Sequence, residues 1–307
     1  MMNYNMSLLW FLRSIIVGFY LYRLKKYFFY LNTSIYILFH FKKPINTINK
    51  IRNKKYPFIL EEKNGKTIEI KSTIQLSFIL KKMENIFSIE NNLLTIKFNS
   101  KLLKFTNYES MELDIFSQKL YSNLSVKNKT VIDVGGGVGD SALLYRALGA
   151  KKVIMIEPQP AFFESAKQNI ELNKESQNIE IHNLVLSSTI GNYMIDYEQN
   201  GKICEINENK ESGITIPKTT IDKFLSNYHE QNFVLKMDCE SCEYDVLLPT
   251  SEDTLRKFEH IFIEFHNGCL NISQRLEKSG FKIKILNSKL TPKKRCRGHL
   301  LATRNKL

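Results

Sequence analysis

The sequence predicts an α/β protein in which a parallel sheet is closed by an antiparallel terminal hairpin and preceded by a helical and β-rich extension. Three observations carry this expectation. From Thr130 onward, short apolar runs alternate with stretches of helical spacing, the pattern of repeated βαβ units around a parallel sheet. The first of those runs leads into a cluster of glycines. The last two runs, FKIKIL and HLLATR, have only a Lys/Pro-containing turn between them, which leaves no room for a crossover helix and makes the pair antiparallel. Together these describe a Rossmann-like sheet with one antiparallel edge. The chain divides into a basic, aromatic helical segment over 1–55, a small β-rich and helical subdomain over 56–129, and a ligand-binding domain over 130–307.

The first segment is set apart by charge. Residues 1–130 hold 21 Lys/Arg against 8 Asp/Glu, whereas 131–307 hold 23 of each, so the whole net charge of +13 lies in the first part. Before Pro57 there are ten basic residues and no acid. Two apolar, aromatic blocks, Leu8 to Tyr22 and Tyr27 to Phe41, flank Arg23, Lys25 and Lys26. Each is shorter than the roughly 20 residues a membrane-crossing helix needs. Such blocks suit either an anionic lipid surface or a helical pair packed on the rest of the protein. No basic residue precedes Leu8 and no small-residue cleavage site follows, so a secretory signal is not expected. Five cysteines at irregular spacings do not resemble a secreted disulfide framework. The expectation is a cytoplasmic protein with reduced cysteines, held at most peripherally at the inner face of the membrane through residues 1–55.

The elements follow in order. KTIEIKS and LLTIKFN alternate apolar and polar residues and read as strands, with a helix near Ile74–Met83. Residues 109–124 read as a helix whose start is enriched in acids (Glu109, Glu112, Asp114), where the macrodipole favours them. Beyond Thr130 the strands are TVIDV, KVIMIE, IEIHNLVL, FVLKMD and HIFIEF. The helices are DSALLYRALG, AFFESAKQNIELN, TIDKFLSNY, YDVLLPTSEDTLRKF and CLNISQRLEKSG.

The chemistry concentrates after the first strand, in Asp133-x-Gly135-x-Gly137-x-Gly139. Glycines there let the backbone turn sharply and approach a ligand with no Cβ in the way, and the helix that follows presents unpaired N–H groups. Dinucleotide enzymes place G-x-G-x-x-G at the same point, but here the third position is Asp140, an acid where a pyrophosphate would be repelled. An acid tolerates the ammonium and sulfonium of S-adenosylmethionine. The second strand ends at Glu157, about 20 residues after the turn, where doubly wound folds put the carboxylate that accepts from ribose hydroxyls.

The residues VIDVGGGVGD, ALGAKKVIMIEPQP, NIEIHNLVLSS, TTIDKF, VLKMDCESCEYDVL and IFIEFHNG, in that order, resemble the FkbM-type methyltransferase family, particularly its archaeal-looking members. The resemblance covers about residues 100–304. It implies the class I methyltransferase fold, S-adenosylmethionine as cofactor, and methylation of hydroxyl groups on sugars or small metabolites. By the same resemblance Asp133, Gly135, Gly137 and Glu157 bind the cofactor, with Asn183 and Asp238 close to it. Gly137 stands where the family commonly has Asn, so no role passes to that side chain.

The fourth and fifth strands carry Lys236, Asp238, Glu240, Glu243, Glu264 and His266 at their carboxyl ends, where ligands of open α/β sheets bind. Methyl transfer to a hydroxyl benefits from a base, and Glu240, Glu264 or His266 is expected to supply it. The alternative for each is a helix cap or a pairing with Lys236. Cys239 and Cys242 form a C-x-x-C without a second pair at zinc spacing, so no metal site and no redox role are expected. The expected acceptor is a hydroxyl-bearing small molecule or glycan. A basic first half suggests nucleic acid instead, but the fourth strand is followed by Asp-Cys-Glu and not by the Asn/Asp-Pro-Pro-aromatic turn of base amino-group methylation. A binding module that kept the fold without turnover is the remaining reading.

Overall fold

The computed structural model of the 307-residue chain describes residues 37–304 except 54, 66, 71–75, 77–86, 91–92, 109–110, 112–113, 118–123, 196–212 and 292–294. The apolar block Leu8 to Tyr22 lies outside them, as does most of Tyr27 to Phe41 and of the helix expected near Ile74–Met83. Of the helix expected over 109–124, Asp114–Ser117 is described. Two compact units emerge, 1–87 and 88–307. Among the described residues no helix is long and apolar enough to cross a membrane.

In the first unit, α1 (Pro44–Asn53) precedes a hairpin of β1 (Phe58–Glu61) and β2 (Thr67–Ile70). The hairpin is antiparallel, with Phe58 opposite Ile70 and Leu60 opposite Ile68. Alternation decides its faces: Phe58, Leu60 and Ile70 are buried with Ile37, Phe41 and Leu76, while Ile59 points outward.

The second unit contains a sheet of β3 (Phe87–Glu90), β4 (Leu93–Phe98) and β5 (Lys101–Phe105), then α2 (Asp114–Ser117). The main domain continues as β6 (Thr130–Val134), α3 (Asp140–Ala147), β7 (Lys152–Ile156), α4 (Pro160–Leu172), β8 (Ile179–His182), β9 (Val185–Leu186), β10 (Gly191–Ile195) and β11 (Ile214–Thr219). It ends as α5 (Ile221–Leu225), β12 (Phe233–Met237), α6 (Cys242–Leu247), α7 (Glu252–Arg256), β13 (Phe258–Phe265), α8 (Leu270–Lys278), β14 (Phe281–Leu290) and β15 (Cys296–Arg304). Seven strands form the main sheet in the order β14-β15-β13-β12-β6-β7-β8. The run from β13 to β8 is parallel, and β15 is antiparallel to both β13 and β14. Counted along the chain, the order is third, second, first, fourth, fifth, seventh, sixth, the class I methyltransferase arrangement with its reversed hairpin at one edge.

Every residue of β6 and of β12 is buried, as expected of central parallel strands covered on both faces. The core joins Ile132, Val134, Leu235 and Met237 to Phe258, Ile261, Phe265, Ile272 and Leu276. Ile272 and Leu276, four apart on α8, place one helix face on the sheet. Local chemistry sets the helix starts. Pro160 occupies the first turn of α4, Thr220 Oγ1 accepts from Lys223 N at 3.2 Å to cap α5, and Ser251 Oγ accepts from Thr254 N at 3.2 Å to cap α7.

Three stretches differ from their sequence reading. IEIHNLVL is two strands, because Asn183 turns the chain after β8 and sends β9 to a separate sheet with β11 and β10. YDVLLPTSEDTLRKF is two helices, since Pro249 lacks an N–H and Ser251 caps a fresh start. Residues 188–219, to which the sequence reading assigned no element, contain the antiparallel pair β10 and β11, with Tyr193 opposite Ile216.

Candidate functional site

Strand order reverses between β6 and β12, and the carboxyl ends of these two strands, with those of β7 and β13, bring the candidate residues together. Gly135 leaves β6 directly against β12. Its φ is +74°, and a Cβ there would stand 1.9 Å from the Asp238 carbonyl oxygen. The N–H groups of Gly135 and Gly136 both donate to the Ile156 carbonyl, at 2.9 and 3.3 Å. Gly139, at φ +85°, starts α3, and a Cβ there would stand 3.3 Å from the Ala166 Cβ on α4. Gly137 differs from both: its φ is +53°, and nothing beyond its chain neighbours lies within 4 Å of where a Cβ would be. The fold demands Gly135, whereas at Gly137 it leaves a space. Gly137→Ala is therefore expected to cost about 1–2 kcal/mol, the left-handed backbone penalty, and to fold. Gly135→Ala adds a backbone collision to that penalty and is expected to cost several kcal/mol more. Thermal melts of the two variants check the difference.

Beneath the turn lies a sealed ion pair. Lys236 Nζ is 3.1 Å from Asp133 Oδ1 and donates to the Gly135 carbonyl at 2.7 Å, while Ser141 Oγ donates to Asp133 Oδ2 at 2.6 Å. Asp133 is wholly enclosed. Its partners are thus protein groups that brace the turn. Glu157 is buried beside it and accepts from Gly137 N at 2.9 Å and Gln159 N at 2.8 Å. Asn183 donates to the Glu157 and Pro158 carbonyls at 2.9 and 3.0 Å, fixing the chain on which Glu157 stands. A cavity of ≈ 720 Å³ opens here, lined by Gly135, Pro158, Phe162, Leu184, Glu240 and Asp245 among others. Asp245 accepts from Ser187 Oγ at 2.7 Å and Ser188 N at 3.0 Å, closing one wall.

The remaining predicted residues form a second cluster at the ends of β12 and β13. His266 is 1% exposed, and Glu243 Oε1 receives both its Nδ1, at 3.0 Å, and its backbone N–H, at 2.9 Å. Glu240 Oε2 is 3.4 Å from His266 Nε2 and 2.8 Å from Arg297 Nη2. Glu264 is 3.2 Å from His299 Nε2. Ligand atoms of Asp238, Glu264 and His266 lie within 4.8 Å of one another. The sequence reading missed Arg297 and His299 as members. His299 faces Glu264 through the β13–β15 register, which no spacing along the chain reveals.

One expectation is overturned. Cys239 and Cys242 are joined in a disulfide, their Cα atoms 5.4 Å apart. Glu240 and Ser241 between them have φ of +55° and +98°, and this tight turn folds Cys239 back over Cys242. Both sulfurs therefore belong to the wall of the cavity, not to a pair of free thiols. Cys269 and Cys296 are free.

Residues 133–283 match the family described as Methyltransferase FkbM domain. The chain carries an FkbM methyltransferase domain. A viral relative, Uncharacterized protein 158B of Sulfolobus islandicus rod-shaped virus 1, is 27% identical over 158 residues, which is 52% of this chain and 73% of that protein. Similar solved structures include the ribosomal protein L11 methylase of Lactobacillus delbrueckii subsp. bulgaricus, at 16% identity over 60% of this chain and 75% of that one, with a TM-score of 0.36. Another is the magnesium protoporphyrin IX methyltransferase of Synechocystis PCC 6803 with bound SAM, at 15% identity over 61% and 74%, with a TM-score of 0.34.

The cofactor of the FkbM domain is S-adenosylmethionine. The residues present suit it. The cavity lies within the size range of small-molecule sites, and the acids around the turn match a ligand bearing an ammonium and a sulfonium. Lys236, the cation beneath the turn, is already bound to Asp133 and the Gly135 carbonyl, so it offers nothing to a pyrophosphate.

Burial sets the protonation of the domain's acids. It pushes Glu157 up to about 7, against the N–H donors of Gln159 and Gly137. Burial likewise raises Asp238 to about 6, with Lys236 opposing and Glu264 adding to the rise. Burial alone would strip His266 of its proton, but the carboxylates of Glu240 and Glu243 outweigh it and push the imidazole up to about 10. Glu240 is held below the usual carboxylate range, first by His266 and then by Arg297, against its partial burial. His266 thus holds a proton in this arrangement, and the groups free to accept one are carboxylates.

Proposed function

We propose that this chain is an S-adenosylmethionine-dependent O-methyltransferase whose acceptor is a hydroxyl on a sugar, a glycan or a small metabolite. The observation that carries the reading is the carboxylate cluster at the ends of β12 and β13, with Glu240 on the cavity wall. The bound cofactor supplies a methyl group on a sulfonium. Glu157 accepts from the ribose hydroxyls: its two oxygens receive one N–H each, leaving lone pairs for two more donors. The open space over Gly137 would let the backbone approach the bound cofactor, and the apolar residues of the cavity wall, Phe162 and Leu184 among them, would suit its adenine.

Glu240 takes the proton of the acceptor hydroxyl as the new bond forms. Its side chain is 63% exposed, so a substrate reaches it, and His266 and Arg297 aim it. Glu243 fixes His266 through the Nδ1 side and the backbone. Asp133 and Lys236 act through the turn they brace, as positioning residues. The sheet ends favour this over a nucleic-acid acceptor, because a mouth lined by Glu240 and Asp245 repels phosphates.

Untargeted metabolite and glycan profiling of a deletion strain identifies the acceptor. The expected outcome is a hydroxylated species lighter by one methyl group that accumulates, and is restored to its methylated form by the intact gene but not by one encoding Glu240→Gln. Loss of methylation on an RNA base with no change in hydroxylated metabolites would contradict the proposal.

A further inference from the structure

From the geometry we infer that Asp238, Glu264 and His266 form a binding site for a divalent first-row transition-metal ion beside the methyl-transfer site. This deepens the O-methyltransferase reading and rests on it for its purpose, though not for its test.

The donor set is the first ground. Two carboxylates and one imidazole offer atoms within 4.8 Å of one another. Ligands at about 2.0–2.2 Å from one ion stand at most about 4.4 Å apart, so a small closure of side chains completes the set. The second ground is independent of the acids. His266 is 1% exposed, yet its Nε2 makes no hydrogen bond. The oxygen across from it, Glu240 Oε2, stands off at 3.4 Å on a largely exposed side chain. A sealed imidazole nitrogen without a hydrogen bond is costly unless something occupies the space before it.

The surroundings have the form that metal ligands receive. Glu243 Oε1 holds His266 Nδ1 at 3.0 Å and also accepts the backbone N–H of the same residue, so the ring cannot turn and Nε2 is the nitrogen left for an ion, which would displace the proton held there in the metal-free arrangement. A carboxylate behind a histidine is the usual second layer of a metal site. His299 holds Glu264 at 3.2 Å and is itself held by Asn287 Oδ1 at 2.9 Å. The fixed cations nearby are already engaged, Lys236 with Asp133 and Arg297 with Glu240.

Three protein ligands leave open positions. An acceptor hydroxyl occupying one of them would be polarised and turned toward the cofactor, and its proton would pass to Glu240. Mixed oxygen and nitrogen donors suit Mn²⁺ or Zn²⁺ better than Mg²⁺ or Ca²⁺, which prefer oxygen alone.

The test is metal binding by the full chain, read without any methyl acceptor. Protein stripped with a chelator is titrated with Mn²⁺ by electron paramagnetic resonance of the free ion, and with Zn²⁺ by calorimetry. One ion per chain is expected. His266→Ala should weaken binding by more than the roughly tenfold to hundredfold that follows loss of an outer partner, and Glu243→Gln by about that range. Glu180→Gln, an acid of β8 paired with Lys152, should leave binding unchanged. S-adenosylmethionine titrations on the same samples report folding and the cofactor site separately. A chain that binds the cofactor but neither ion, or one whose His266→Ala form binds the ion as tightly as the parent, overturns the metal site and leaves the methyltransferase reading untouched.

Discussion

Lys236→Met should cost the FkbM domain about 3–5 kcal/mol, the range for removing one partner of a buried ion pair. The residue is sealed in β12, and its ammonium lies 3.1 Å from Asp133 Oδ1. Burial disfavours that charge, but Asp133 and Asp238 more than offset it and hold the pKa of Lys236 above its ordinary value. Once the ammonium is gone, Asp133 keeps a single side-chain donor among the described residues, Ser141 Oγ, in a sealed interior, and the Gly135 carbonyl loses its own. The double variant Asp133→Leu with Lys236→Met removes both charges and should recover most of the loss, since buried pairs are often replaceable by apolar residues of similar volume. Urea unfolding followed by circular dichroism measures both. A loss below about 1 kcal/mol for the single variant would mean that the pair is solvated and does not brace the turn.

Glu157→Ala should lower S-adenosylmethionine affinity roughly tenfold to a hundredfold, from about 1.5–3 kcal/mol for a hydrogen bond to a charged group. The effect should depend on pH in a set direction. Burial raises the folded carboxyl from 4.5 to about 7, so the native state binds its proton more tightly than the unfolded chain does, and this group's contribution to stability is lost as pH rises from about 4.5 to about 7. Ribose hydroxyls donate to the ionised form. Cofactor binding should therefore tighten as pH rises toward 7 and level off above it, with release of a proton below. Glu157→Ala should flatten that profile as well as weaken binding, as calorimetry at several pH values would show. A pH profile identical in both proteins would remove Glu157 from the cofactor contacts.

What the sequence disclosed and what it hid divide along a physical line. Strands and helices of the main sheet were legible because burial on both faces makes TVIDV and FVLKM mostly apolar runs, each broken by one member of the Asp133–Lys236 pair, and because glycine, proline and capping residues mark their ends locally. The turn residues were legible for the same reason, since Gly135 answers to a local backbone angle and Glu157 to a fixed distance along a βαβ unit. Features that depend on register or on folding back over several residues were not. His299 reaches Glu264 only through the antiparallel pairing of β15 with β13, and Arg297, two residues earlier on β15, meets Glu240 in the turn after β12. Asn183, expected near the cofactor, holds the backbone carbonyls at the Glu157 turn, contacts that its place in the sequence does not announce. The Cys239–Cys242 bond needs two consecutive residues at positive φ, which neither Glu nor Ser announces.

The central claim is that this glycine turn, with its buried acids, is built for S-adenosylmethionine and not for a dinucleotide. Calorimetric titration of the full chain with S-adenosylmethionine and, separately, with NAD, followed by competition between them, tests it directly. One S-adenosylmethionine per chain is expected, with no heat from NAD and no displacement by it, because Asp140 opens α3 where a pyrophosphate would lie and Lys236 is committed beneath the turn. Binding of NAD at the same site, or no binding of S-adenosylmethionine by the folded chain, would contradict the account.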